Sequence, residues 1–203
     1  MKSKDMKFRL IISAAGLLIT VICTILSVFT SIETTSVKII GSFVSVVIVS
    51  AVTWKFPKRF FVLAILFDIF AAALGSVINL YKYIGFYDRF VHYLSGILLA
   101  EAGMIIISFI FEKRIIKKDI PVMLAFSFFF SSACAGFWEI YEFTADNILN
   151  INMQGSNLNT MGDIVSGVLG AVTYLILSVL CRRLCGTKTV SYTHLTLPTI
   201  LLV

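Results

Sequence analysis

Residues of the types that bind cations or move protons recur at helical spacing between residues 88 and 146 of this chain. Asp88 and His92 are four residues apart, so they share one face of a helix. Three more carboxylates follow at intervals of three and four residues, namely Glu139, Glu142 and Asp146. Carboxylate oxygens suit Mg²⁺, Ca²⁺ and Mn²⁺, and an imidazole nitrogen also suits Zn²⁺, so the mixed set selects no single cation.

The segments that carry these residues are apolar enough to cross a membrane. The chain is 59% hydrophobic and 14% charged, whereas soluble domains carry about 25% charged residues. Six runs are long enough to span a bilayer, at Leu10–Ile32, Val37–Trp54, Phe60–Tyr81, Phe86–Phe111, Pro121–Leu149 and Ile164–Cys181. We therefore expect an all-α integral membrane protein, a compact bundle of about six transmembrane helices, forming a single domain over residues 1–189.

The distribution of basic residues predicts the orientation of the bundle. Of the 17 Lys and Arg residues, 14 lie before the first span, after the sixth, or in the second-to-third and fourth-to-fifth connections. The positive-inside rule places this side, and both termini, in the cytoplasm. The net charge of +6 is then a topology signal, and it implies no nucleic-acid partner.

Residues 190–203 break with the pattern of the rest of the chain. The run VSYTHLTLPTI, which starts at Val190, resembles one reading frame of a common sequencing adapter. We interpret 190–203 as an assembly artefact outside the native fold. His194 then carries no weight, and His92 is the one informative histidine.

Stripes of small residues predict that four helices pack closely, with polar groups at their outer ends. These stripes contain Gly96, Ala100 and Gly103, then Ser132 and Ala135, then Gly167 and Gly170, and on the third span Ala72 and Gly75. Glu139 lies about 27 Å along its helix from Pro121, close to the thickness of a hydrocarbon core of about 30 Å. Asp88 and Asp163 open the fourth and sixth spans from the same side, whereas Asp68 lies near the midplane.

Clustered carboxylates in a poorly solvated site need a metal ion, bound protons or a cationic partner. We predict five metal ligands: His92, Glu139, Glu142, Asp146 and Asp163. Asp88 and His92 are the candidate catalytic residues. Three further polar residues are assigned to the site: Asp68, Arg89 and Gln154. In the alternative interpretation, Asp88 and Asp163 only cap their helices, and Glu142 and Asp146 face water at the end of a long helix.

Two segments resemble known membrane-protein families. FYDRFVHYLSG (Phe86–Gly96) and WEIYEFTADNILNINMQGSNLNTMGDIVSGVLGA (Trp138–Ala171) resemble the YjdF-like bacterial integral membrane proteins and, more loosely, the VanZ-like proteins. Shared features are Asp-x-x-x-His on one helix, an acidic helix, and a later Asp before a Gly-rich span. Where the YjdF-like pattern often reads Asp-Thr-Met-x-Asp, this chain has Asn159 at the first position. The resemblance implies a multi-pass protein of the bacterial cytoplasmic membrane. Since VanZ-like proteins are associated with lowered sensitivity to teicoplanin-type antibiotics, it also hints at cell-envelope biology.

Three functions stay open on the sequence alone. The first is a divalent-cation site (Mn, Mg, Ca or Zn) that binds or acts on an envelope lipid or glycan, with the lipid bilayer as its surroundings. The second is a proton- or ion-coupled transporter that uses Asp68. The third is a non-catalytic membrane scaffold. The sequence does not decide whether the protein is an enzyme.

Overall fold

The computed structural model describes residues 3–114 and 117–184, and this part of the chain is helical apart from short connections. The helices are α1 (Ser3–Phe29), α2 (Ser36–Thr53), α3 (Lys58–Asp68), a π-helix (Ile69–Val77), α4 (Leu80–Tyr83), α5 (Tyr87–Lys113), α6 (Ile120–Leu149) and α7 (Asn157–Leu184). With α3 and the π-helix counted as one span, six of these are long and apolar enough to cross a membrane. The predicted all-α membrane fold is therefore confirmed. The cytoplasmic placement of both termini stays a prediction, and residues 190–203 lie outside the described part.

Local sequence signals explain where several helices begin and end. The side chain of Thr35 accepts a hydrogen bond from the amide of Lys38 at the start of α2. The Asp119 carboxylate caps α6 in the same way, with Pro121 in the first turn. These caps satisfy amide groups that have no partner within the helix. Asn150 ends α6 in the left-handed conformation, which Asn tolerates better than most residues.

The spans form two groups of three that are each continuous in sequence. Helices α5, α6 and α7 pack closely against one another, and α1, α2 and α3 with its π-helix form the other group. The two groups meet mainly through contacts of α3, the π-helix and α4 with α5. The expectation that the third span joins the last three as a fourth small-faced helix is therefore wrong in part. That span packs mostly against α1 and α2, because its apolar residues, including Phe61 and Ile65, fill the core there.

Helices α5 and α7 approach so closely that only glycine fits at their contact. A Cβ atom on Gly96 would collide with the backbone carbonyl of Gly167, and one on Gly170 would collide with the carbonyl of Tyr93. Helix α6 adds a hydrogen bond to this contact, because Ser131 Oγ donates to the Gly96 carbonyl at 2.9 Å. This contact fixes α5 and α7 next to each other in register, and it thereby places their polar ends side by side.

We expect Gly96→Ala to lower the free energy of unfolding in detergent by about 1–3 kcal/mol, because the added methyl group meets backbone that cannot yield. Gly136→Ala is the matched control on α6, where a Cβ meets nothing within 4 Å. That variant should be neutral, or more stable by about 0.5–1 kcal/mol from helix propensity. Equal thermal unfolding curves for the two variants would contradict the close contact.

Candidate functional site

Three side chains from two helices meet at one end of the α5–α6–α7 group. Asp88, His92 and Asp163 each offer one ligand atom, and these atoms all lie within 4.8 Å of one another. His92 Nε2 is 3.6 Å from Asp88 Oδ1. Both His92 and Asp163 are buried, whereas Asp88 is about one-third exposed. The approach to this cluster is therefore from the side of Asp88.

The position of Asp163 differs from the prediction that it opens the sixth span. Helix α7 begins at Asn157, six residues earlier, so Asp163 lies in its second turn. There it is only 1% exposed and does not cap the helix. The polar run after Gly155 forms this extra turn, because Ser156 Oγ accepts a hydrogen bond from the amide of Asn159. A prediction based on runs of apolar residues misses this turn, because the turn contains few hydrophobic residues.

Helix α6 adds a buried carboxylate that has no hydrogen-bond partner. Glu139 is 3% exposed, and its Oε1 lies 3.8 Å from His92 Nε2. Within the described ranges, the Thr160 hydroxyl lies beside the Glu139 carboxylate without a well-formed hydrogen bond to it, and Asp163 Oδ1 also has no partner. Unpaired polar atoms at this depth are costly. They point to a ligand or to bound protons.

Asn159 holds two of the carboxylates together. Its Nδ2 donates to Asp163 Oδ2 at 2.7 Å and to Asp88 Oδ2 at 3.4 Å. At this position the YjdF-like pattern often has an aspartate, which could not donate these hydrogen bonds when ionised. The structure shows that the amide cross-links α5 and α7, which spacing alone does not reveal.

The other predicted site residues on α6 are held by their own neighbours. Glu142 is buried next to the cluster, but its Oε1 accepts a hydrogen bond from Trp138 Nε1 at 2.8 Å. The two oxygens of Asp146 accept from the backbone amides of Met153 and Gln154, at 2.6 and 2.9 Å. Asp146 thus fixes the α6–α7 connection, and Gln154 takes part through its backbone. Neither Asp146 nor Gln154 contributes an atom to the group formed by Asp88, His92 and Asp163.

Arg89 and Tyr81 border the cluster. A Cβ atom on Gly162 would lie 2.6 Å from Arg89 Nε, so the exposed guanidinium rests against the start of α7. Tyr81, on the short α4 outside the spans, packs on Gly75 and makes an edge contact with Tyr87. Burial raises the pKa of Tyr81, and the nearby Asp88 carboxylate raises it further. Tyr81 is therefore a neutral phenol beside the acids.

Two other buried acids stand apart from the cluster. Asp68 lies against Ser45 of α2 in the first three-helix group. Glu101 is paired with Arg59 of α3, with 3.5 Å between Glu101 Oε1 and Arg59 Nε. The sequence places Asp68 near the midplane, below the other acids, and in the structure it packs against α2.

The comparisons with known proteins identify a family. A family described as a predicted membrane protein (DUF2238) matches residues 8–184. The chain belongs to this family. Searches among curated proteins and among solved structures return no match.

Membership of the DUF2238 family agrees with the YjdF-like resemblance and extends it over all six spans. It lends no support to the looser VanZ-like resemblance. The DUF2238 match covers every residue of the cluster described above, and its description adds no activity.

Asp146→Ala should accelerate hydrogen exchange at the amides of Met153 and Gln154 by about tenfold or more, because both amides lose a charged acceptor. Mass spectrometry of the peptide that covers the α6–α7 connection measures this. Asp146→Asn keeps one acceptor oxygen, so its effect should be smaller. Unchanged exchange in Asp146→Ala would contradict the anchoring role.

Proposed function

We propose that this DUF2238 protein binds one divalent cation between α5, α6 and α7, with Asp88, His92 and Asp163 as its ligands and Glu139 as a fourth. The observation that carries the proposal is the convergence of these three ligand atoms within 4.8 Å. The unpaired buried oxygens of Glu139 and Asp163 are its second support.

The distances suit metal coordination after a small adjustment. Bonds of about 2.1 Å at tetrahedral angles place neighbouring donor atoms about 3.4 Å apart. His92 Nε2 lies 3.6 Å from Asp88 Oδ1 and 3.8 Å from Glu139 Oε1. Side-chain rotations alone could therefore bring these donors to bonding distance.

The charge balance also favours a bound cation. Three carboxylates surround one imidazole, and no Lys or Arg within the described part of the chain forms an ion pair with them. Burying like charges together is strongly unfavourable unless a cation or protons compensate. A divalent ion would offset most of this charge at once. Of the four metals under consideration, the imidazole ligand favours Mn²⁺ or Zn²⁺ over Mg²⁺ and Ca²⁺.

The ligand of such a cation is, in our proposal, an anionic group of an envelope lipid or glycan. With the predicted orientation, the exposed edge of Asp88 and the guanidinium of Arg89 face the outer side of a bacterial cytoplasmic membrane. A phosphate that bridges the cation could be held from the other side by Arg89, whose planar donors suit it. The cation would then polarise the phosphate as a Lewis acid.

Purified wild-type protein, loaded with each metal and then dialysed, should retain about one cation per chain. Asp163→Asn should lower the affinity by about tenfold or more, since it removes a buried charged ligand. Mass-spectrometric metal analysis, with Tm measured before and after chelation, reads out both effects. Asp119→Asn is the matched control, because it removes a carboxylate at the other end of α6 but keeps a residue that caps helices well.

No retained metal in the wild type, together with a Tm that chelation does not change, would overturn the cation site. Equal metal retention in Asp163→Asn and in wild type would exclude Asp163 as a ligand. A purely structural scaffold predicts that Asp163→Asn and Asp119→Asn behave alike in both measurements.

Asn159→Asp should make the protein depend more strongly on the cation. Without metal, the loss of the amide donor and the added negative charge should lower Tm by about 2–4 °C. With metal, the new oxygen can serve as a ligand, so the rise in Tm should exceed that of wild type. Asn147→Asp, an exposed position near the same end of α6, is the charge-matched control. The same metal response in both variants would contradict this expectation.

A further inference from the structure

We propose that Asp68 is a second, separate site, which binds and releases a single proton near the middle of the membrane. This site lies in the first three-helix group and shares no residue with the cation cluster. It would stand even if the cation proposal failed.

The position of Asp68 along its helix places it at mid-depth. Helix α3 begins at Lys58, so Asp68 lies about 15 Å along the axis. That is half of a hydrocarbon core of about 30 Å. Ionisable residues at this depth are rare, and they often mark ion or proton pathways.

The carboxyl group of Asp68 is enclosed and only partly satisfied. The residue is 5% exposed, and Oδ2 has no hydrogen-bond partner in residues 3–114 and 117–184. Ser45 of α2 contacts the carboxyl group. One turn away on α2, the buried hydroxyl of Ser42 has no hydrogen-bond partner among the described residues, and Ser45 Oγ donates to the Ser42 carbonyl at 2.9 Å.

No cation compensates for a charge on Asp68. Several ionisable side chains on the neighbouring helices face α3, the π-helix or the residues next to them. They are Asp5, Arg9 and Cys23 of α1, Lys38 of α2, Tyr81 of α4, and Tyr87 and Glu101 of α5. Among the described residues, none of the cationic side chains in this set, Arg9 and Lys38, forms an ion pair with Asp68, and Lys38 Nζ donates instead to Asn79 Oδ1 at 3.0 Å. Arg9 donates to the Phe56 carbonyl and stacks on Phe61, towards the start of α3.

A proton fits this niche better than a metal ion does. Na⁺, Ca²⁺ or Mg²⁺ would need several oxygen ligands and space for its own volume. Around Asp68 the structure offers one carboxyl group and serine hydroxyls, and the surface of Oδ2 is covered. A proton neutralises the carboxyl group without requiring space, and it removes the large cost of an isolated buried charge.

Two features provide a way for that proton to exchange with water. The buried faces of α1 and α2 are rich in hydroxyls, with Thr20 and Ser27 on α1 and Ser13 bonded to Ser50 of α2 at 2.8 Å. The π-helix begins at Ile69, directly after Asp68. Such segments are rare and are frequent at functional sites. A small rearrangement of the π-helix would connect the Asp68 carboxyl group to these hydroxyl groups.

Infrared spectroscopy of the full chain in lipid vesicles tests the proposal at neutral pH. Wild type should show the carbonyl band of a protonated carboxylic acid, and the band should shift when D₂O replaces H₂O. The wild-type-minus-Asp68→Asn difference spectrum should contain this band, and the corresponding Asp119→Asn spectrum should lack it. The isosteric Asn should fold normally, which the unchanged helical circular dichroism of the variant would check.

Two results would overturn the proposal. If Asp68→Asn removes no carboxylic-acid band, Asp68 is ionised. If the band is present but does not shift in D₂O over hours, the proton is sealed in and does not exchange. Chelation of metals should leave the band unchanged, and Asp163→Asn should leave it in place, which separates this outcome from the fate of the cation site.

Discussion

The close backbone contact between α5 and α7 is the constraint on which the polar end of the bundle depends. Gly96 and Gly170 leave space for the carbonyls of Gly167 and Tyr93, so the two helix axes come nearer than side chains would allow. Asp88 and His92 lie one to two turns from Gly96 along α5, and Asp163 lies one turn from Gly167 along α7. Their meeting is therefore a direct result of a packing contact deeper in the bundle.

The cost of burying charge in an apolar medium explains how differently the acids of this chain are treated. Glu101 is paired with Arg59, Glu142 accepts from Trp138, and Asp146 accepts from backbone amides. Both oxygens of Glu139 lack a hydrogen-bond partner among the described residues, and so does one oxygen each of Asp68, Asp163 and Glu101. Residue type and spacing do not reveal these differences between the acids.

Much of the fold is predictable from the sequence, because span length and the positions of small residues are one-dimensional properties. The six spans, the cap at Asp119 and the glycine contact of the last three helices all follow from such patterns. The start of α7 does not, since a polar turn built on a side-chain hydrogen bond precedes the apolar run. The packing of the third span against α1 and α2 is not predictable either, because it depends on which large side chains pack together, and hydrophobic periodicity does not specify those contacts. For the cluster, residue spacing predicts which acids share a helix face. It does not predict the bridging role of Asn159 or the loop contacts of Asp146, because both depend on the irregular connection between α6 and α7.

The division of the spans into two sequence-continuous groups has a consequence for biogenesis. Within residues 3–114 and 117–184, every helix that α1 and α2 contact lies before α5 in the chain. The ribosome therefore completes all their packing partners before α5 is synthesised, and the niche of Asp68 can close while the second half is still absent. Helix α5, which carries Asp88 and His92, packs mainly against α6 and α7, and both of these follow it in the chain, so its polar residues enter the bilayer before most of their partners are synthesised. Insertion of the second half is thus the step at which this protein is most exposed to membrane quality control.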